Sequence, residues 1–168
     1  MRKNRSELSR SDAATRISAY VYGNLLVLAA LVSQHPDEVA HGRAAVIVLA
    51  TGFTTYLAHT FAESLGERVR YDAKPSREMV RHELRNALPI VSATTTPALL
   101  LAAAAWGWIS APLALGLAIA VTVVRMGFLG LVLGHLRNKK ASLRSLLTGI
   151  GLAVACAGIA ILKAVLLH

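Results

Sequence analysis

Carboxylates, aromatic rings and cysteine are all scarce in this chain, and each shortage excludes a class of protein. Nine Asp and Glu stand against eighteen Lys and Arg in 168 residues, a net charge of +9. Charged residues make up only 16% of the chain, where a soluble domain carries about 25%. Hydrophobic residues reach 55%, and the mean hydropathy is +0.53. So few charges cannot clothe a water-facing surface, so an ordinary soluble globule is excluded. Cys156 is the single cysteine and lies in an apolar run, which rules out a disulfide framework within the chain. Aromatics are 5% of the residues and are not interleaved with the basic ones. The Lys and Arg residues instead cluster beside apolar stretches, so no nucleic-acid partner is expected. Segments of alternating polarity are missing, which excludes a transmembrane β-barrel. No nucleophile elbow, phosphate-binding loop or His-Glu-x-x-His motif occurs, and the chain is not expected to be an enzyme.

What remains is a set of five apolar stretches, near residues 17–33, 44–64, 87–109, 112–136 and 143–167. Their lengths match the roughly 17–25 residues that an α-helix needs to cross a bilayer. The spacing predicts an all-α integral membrane protein with five transmembrane helices in a single domain, residues 17–167. Residues 1–16 form a basic N-terminal segment ahead of it. That segment lacks the small-residue cleavage site of a signal peptide and is expected to be retained.

Orientation follows from the basic residues. Five lie in the N-terminal segment, six between the second and third spans (Arg68, Arg70, Lys74, Arg77, Arg81, Arg85) and four between the fourth and fifth. The opposite side has only Arg43 and Lys163, and Arg125 falls inside a span. Fifteen against two places the N-terminus in the cytoplasm and the C-terminus outside, in the cytoplasmic (inner) membrane.

Between spans two and three, Met79, Val80, Leu84, Ala87 and Leu88 recur at helical spacing, with Arg77, Arg81 and Arg85 opposite. This predicts a cytoplasmic amphipathic helix capped by Ser76, whose three arginines face the lipid headgroups. On the other side, Trp106 and Trp108 stand as interfacial anchors around a tight hairpin. Gly127, Gly130 and Gly134, and Gly149 with the alanines that follow, form small-residue rows suited to helix packing or to a homodimer.

Three groups of residues carry the chemistry. His59 and Glu63 are one helical turn apart near the end of the second span, so they share a face and form a candidate proton- or ion-coupling pair. An ionisable group inside the membrane needs a reason to be there, and Arg125 is the second such case. Its long side chain can reach towards Glu63, towards carbonyls near Pro89 or Pro97, or towards an anion. Glu63, Glu78, His82 and Glu83 together are the candidate ligands for a divalent metal, since imidazole and carboxylate suit iron, manganese or zinc. His82 and Glu83 are adjacent, and their side chains are expected to diverge by about 100° around a helix.

The C-terminal sequence Gly134-His135-Leu136-Arg137, then Ser142-Leu143-Arg144-Ser145-Leu146-Leu147 and Gly149-Ile150-Gly151-Leu152-Ala153, resembles the last two helices of the vacuolar iron transporter family. The five spans, the inward N-terminus and the helical element after span two fit that pattern as well. The resemblance implies a dimeric, proton-coupled exporter with Fe2+ or Mn2+ as substrate. Ala62-Glu63-Ser64 keeps the glutamate of the family's second helix. Tyr22-Gly23-Asn24-Leu25 has Asn24 where the family's first helix carries an aspartate. The competing expectation is a membrane scaffold or partner subunit with this architecture and no ion path.

Overall fold

The computed structural model describes residues 5–71 and 76–136, with positions 151, 154 and 158 of the last apolar stretch, which are helical. The rest of residues 143–167 and its small-residue row lie outside the described residues. Among the described residues the chain is all-α, in the order α1 (Arg5–Val32), α2 (Pro36–Ala40), α3 (Arg43–Tyr71), α4 (Arg77–Asn86), α5 (Leu88–Ala105) and α6 (Ala111–Leu136). Four stretches are long and apolar enough to cross a membrane: Ala13–Val32, Arg43–Gly66, Val80–Ala105 and Ala111–Phe128.

The helix ends differ from the apolar boundaries for local reasons. α1 starts at Arg5, so most of the basic N-terminal segment is helical, and α3 runs on to Tyr71 beyond the expected end at 64. Hydropathy marks where an apolar environment ends, whereas a helix continues until a breaker stops it. The third span stops at Ala105, short of residue 109. Gly107 takes φ +77°, and the Trp108 and Gly107 amides donate to the Ala103 and Ala104 carbonyls at 3.0 and 2.9 Å. This is a Schellman stop, which needs a residue without a Cβ at that point.

The short connection after α1 holds a helix of its own. Pro36 opens α2, and the His35 amide donates to the Glu38 carboxylate at 3.3 Å, which satisfies one of the free donors at a helix start. Gly42, at φ +75°, then turns the chain into α3. The amphipathic element appears as α4, with Ser76 just before it, Arg77, Arg81 and Arg85 exposed, and Asn86 buried.

α5 lies at the centre, packed against α1, α3 and α6. The packing is uneven along its length. Towards the α2 and α5–α6 hairpin end, Val27, Leu31, Val39, Ala44, Val48, Leu101 and Ala114 form one buried apolar cluster. Towards the α4 end the buried apolar set shrinks to Ala19, Ala87 and Ile90, and polar contacts take over. Close approach there depends on glycine: a Cβ at Gly23 would stand 3.0 Å from the Ile90 Cα, and one at Gly52 would overlap the Thr94 side chain. On the outside of α3, Leu49, Phe53, Leu57, Phe61, Leu65 and Val69 form an exposed apolar row at four-residue steps, as a lipid-facing helix requires.

Candidate functional site

Arg125 on α6 is the hub of the polar half. Its Nε donates to the Tyr20 hydroxyl at 3.2 Å, its Nη1 to the Ser92 carbonyl at 2.9 Å and to Thr96 Oγ1 at 3.3 Å, and its Nη2 to Ser92 Oγ at 3.4 Å. The guanidinium carbon also stands 5.6 Å from the centre of the Tyr20 ring, within cation–π range. One side chain thus ties α1, α5 and α6 together. Its α5 acceptors, Ser92 and Thr96, lie in the turn before Pro97. Every one of these partners is neutral, and none is Glu63. The last carboxylate in the sequence is Glu83, so neither α5 nor α6 can offer a counter-ion.

His59 and Glu63 lie one turn apart on α3, both half-buried. The Nε2 atom of His59 is buried and, among the described residues, has no hydrogen-bond partner. The hydroxyls beside the pair are already engaged: Thr60 donates to the Tyr56 carbonyl at 2.9 Å, and Ser64 to the Thr60 carbonyl at 2.8 Å. A buried ring nitrogen without a partner is costly, which singles out His59.

A third polar group docks α4. Arg16 Nε donates to Asn86 Oδ1 at 3.1 Å, and Asn86 Nδ2 lies 3.2 Å from His82 Nδ1. The first bond fixes which end of the amide is the oxygen, so Asn86 Nδ2 is the donor and His82 Nδ1 the acceptor. Tyr56 on α3 donates to the Leu84 carbonyl at 3.3 Å. His82 and Glu83 do not diverge as adjacent positions on a helix suggest. Their Nδ1 and Oε1 atoms lie 3.7 Å apart, because a glutamate is long enough to fold back along the helix. Glu78 is exposed in the first turn of α4. Glu63, Glu78, His82 and Glu83 are not gathered at one point: among the described residues, no three His, Cys, Asp or Glu side chains are close enough to hold a metal ion.

Between these groups runs an open groove of about 480 Å³, lined by Arg16, Tyr20, Arg85, Leu88, Pro89 and Ser92. Arg125 holds two of those residues, Tyr20 and Ser92, from the α6 side.

Sequence reasoning missed Tyr20, Ser92, Thr96, Arg16 and Asn86 as site residues. The signal available was an asparagine and a serine inside or beside apolar spans. Asn24 sends a similar one: it is fully buried, its Nδ2 donates to the Tyr20 carbonyl at 2.8 Å, and among the described residues its Oδ1 has no partner. The chain matches no protein-family profile, no curated protein and no solved structure.

Proposed function

We propose that this chain is a multi-pass protein of the cytoplasmic membrane that transports a small solute, with His59 and Glu63 as its proton-coupling pair. The four long apolar helices support the multi-pass part. The observation that carries the coupling is His59 Nε2, buried in a helix long and apolar enough to span, without a partner among the described residues and one turn from a carboxylate. An imidazole there can both accept and donate a proton, and Glu63 lies on the same helix face one turn away. In this reading the α4 end faces the cytoplasm, residues 143–167 make the fifth span, and two copies associate as a homodimer. The resemblance to vacuolar iron transporters names Fe2+ and Mn2+ as the solutes, with Glu63, Glu78, His82 and Glu83 as metal contacts during passage.

One observation favours the second reading, a membrane scaffold or partner subunit without an ion path. Among the described residues Arg125 is held only by neutral acceptors and joins three helices, a structural role that needs no ion path, and its uncompensated charge would repel a divalent cation brought near it. Proteoliposomes under an imposed pH gradient separate the two. Gradient-driven Mn2+ or Fe2+ uptake that is lost in both His59→Gln and Glu63→Gln establishes the transporter. Folded protein that moves neither ion and carries no proton flux leaves the scaffold.

A further inference from the structure

The groove between α1, α4 and α5 combines features that no residue of the coupling pair explains. Arg16 stands near the start of the Ala13–Val32 span, and Arg85 just before α5 begins at Leu88. Both cations therefore lie at the polar edge of the apolar region. Arg16 uses only its Nε on Asn86, which leaves both Nη groups of the fork to point elsewhere. The Tyr20 hydroxyl oxygen accepts from Arg125, so its own hydrogen is available as a donor. Ser92 Oγ donates to the Pro89 carbonyl at 3.0 Å and accepts from Arg125, which fixes the floor. Two cations and a hydroxyl thus face one opening, and among the described residues no carboxylate lines it.

Below the opening the surface turns apolar. Leu88, Val91 and Leu99 are exposed along one side of α5, at 52%, 45% and 63%; the exposed Thr95 between them turns its hydroxyl onto the Val91 carbonyl at 2.8 Å, so the row continues from the groove's Leu88 wall. A free phosphate needs only the cationic mouth. A ligand with a phosphate head and hydrocarbon tails uses both.

We propose that this groove binds an acidic phospholipid, with the headgroup phosphate between Arg16 and Arg85 and the acyl chains along Leu88, Val91 and Leu99. Arginine suits the role because its planar fork presents paired donors to phosphate oxygens. The proposal requires that the chain sit in a bilayer and does not depend on transport.

The test is native mass spectrometry of the full-length protein released from detergent after addition of phosphatidylglycerol, with phosphatidylcholine and inorganic phosphate as competitors. Arg85→Gln is the primary variant, because Arg85 takes no part in the Arg16–Asn86–His82 contacts and its loss should leave the fold intact. Arg16→Gln is the second, and Arg77→Gln/Arg81→Gln is the control, since those arginines are exposed on α4 outside the groove. Each groove variant should lower phosphatidylglycerol retention roughly fivefold, with the control unchanged and neither competitor effective. Equal losses in the control would show a general surface charge effect and overturn the proposal. So would retention unaffected by Arg85→Gln. Displacement of the lipid by millimolar inorganic phosphate would mark a free-anion site instead.

Discussion

Arg125 Nη1 and the Ser92 carbonyl oxygen meet at 2.9 Å, so a side chain of α6 bonds the backbone of α5 just ahead of its internal proline. A charged donor on a carbonyl in low-dielectric surroundings contributes about 1.5–3 kcal/mol. Arg125→Leu is expected to lower stability in detergent by that order, measured as the midpoint of thermal unfolding. Tyr20→Phe keeps the ring under the guanidinium and removes one acceptor, and should cost only about 1 kcal/mol. An Arg125→Leu protein as stable as the parent would show that the clamp holds nothing.

Gly52 and Thr94 make a second contact between helices, this time steric. A methyl at Gly52 has no room beside the Thr94 side chain. Gly52→Ala should destabilise by about 1–3 kcal/mol, as overpacking generally does. Thr94→Ala in the same protein should recover most of that loss. A double-mutant cycle without coupling between the two positions would remove the contact from the account.

Glu63 behaves differently. It is not among the partners of Arg125, so Glu63→Gln should leave the unfolding midpoint nearly unchanged, within about 0.5 kcal/mol. The same substitution abolishes proton coupling if the transport reading holds. A strong loss of stability would instead reveal a structural role.

Much of this architecture is written in run lengths. Long apolar stretches without alternation give the helices, and the Ser76–Asn86 pattern gives α4 with its three exposed arginines. α2 is harder to see: Pro36, Asp37 and Glu38 carry helix-start chemistry, yet five residues are too few to show a period. The site was less legible, since its partners are far apart in the chain. Arg125 meets Tyr20 across 105 positions, and Arg16 meets Asn86 across 70. Such pairs depend on how far each helix slides along its neighbour, which a single sequence does not encode locally. The oddity of Arg125 was visible, whereas the acceptors that quiet it were not.

Asn86 offers a probe of α4. Asn86→Leu fills the same buried space but leaves Arg16 Nε and His82 Nδ1 without their amide, a loss of about 1 kcal/mol per bond. Backbone amides of residues 77–86 should then exchange with deuterium roughly tenfold faster or more, while α1 and α5 stay protected. Unchanged exchange in α4 would mean that contacts other than the Asn86 amide, Tyr56–Leu84 among them, hold the helix.

The uneven core has an electrical consequence. The hairpin half is sealed by Val27, Leu31, Val39, Val48 and Leu101, while the α4 half is built from arginines, amides and hydroxyls. A potential applied across the bilayer falls mostly over the less polarisable part. Arg125 follows Ala118, a member of that apolar cluster, by about two turns of α6, so the charge stands at the edge of the polar half. A shift of α6 by a single turn, about 5.4 Å, would carry that charge through only a fraction of a roughly 30 Å apolar layer, so Arg125 would couple this helix to a membrane potential by a fraction of one elementary charge.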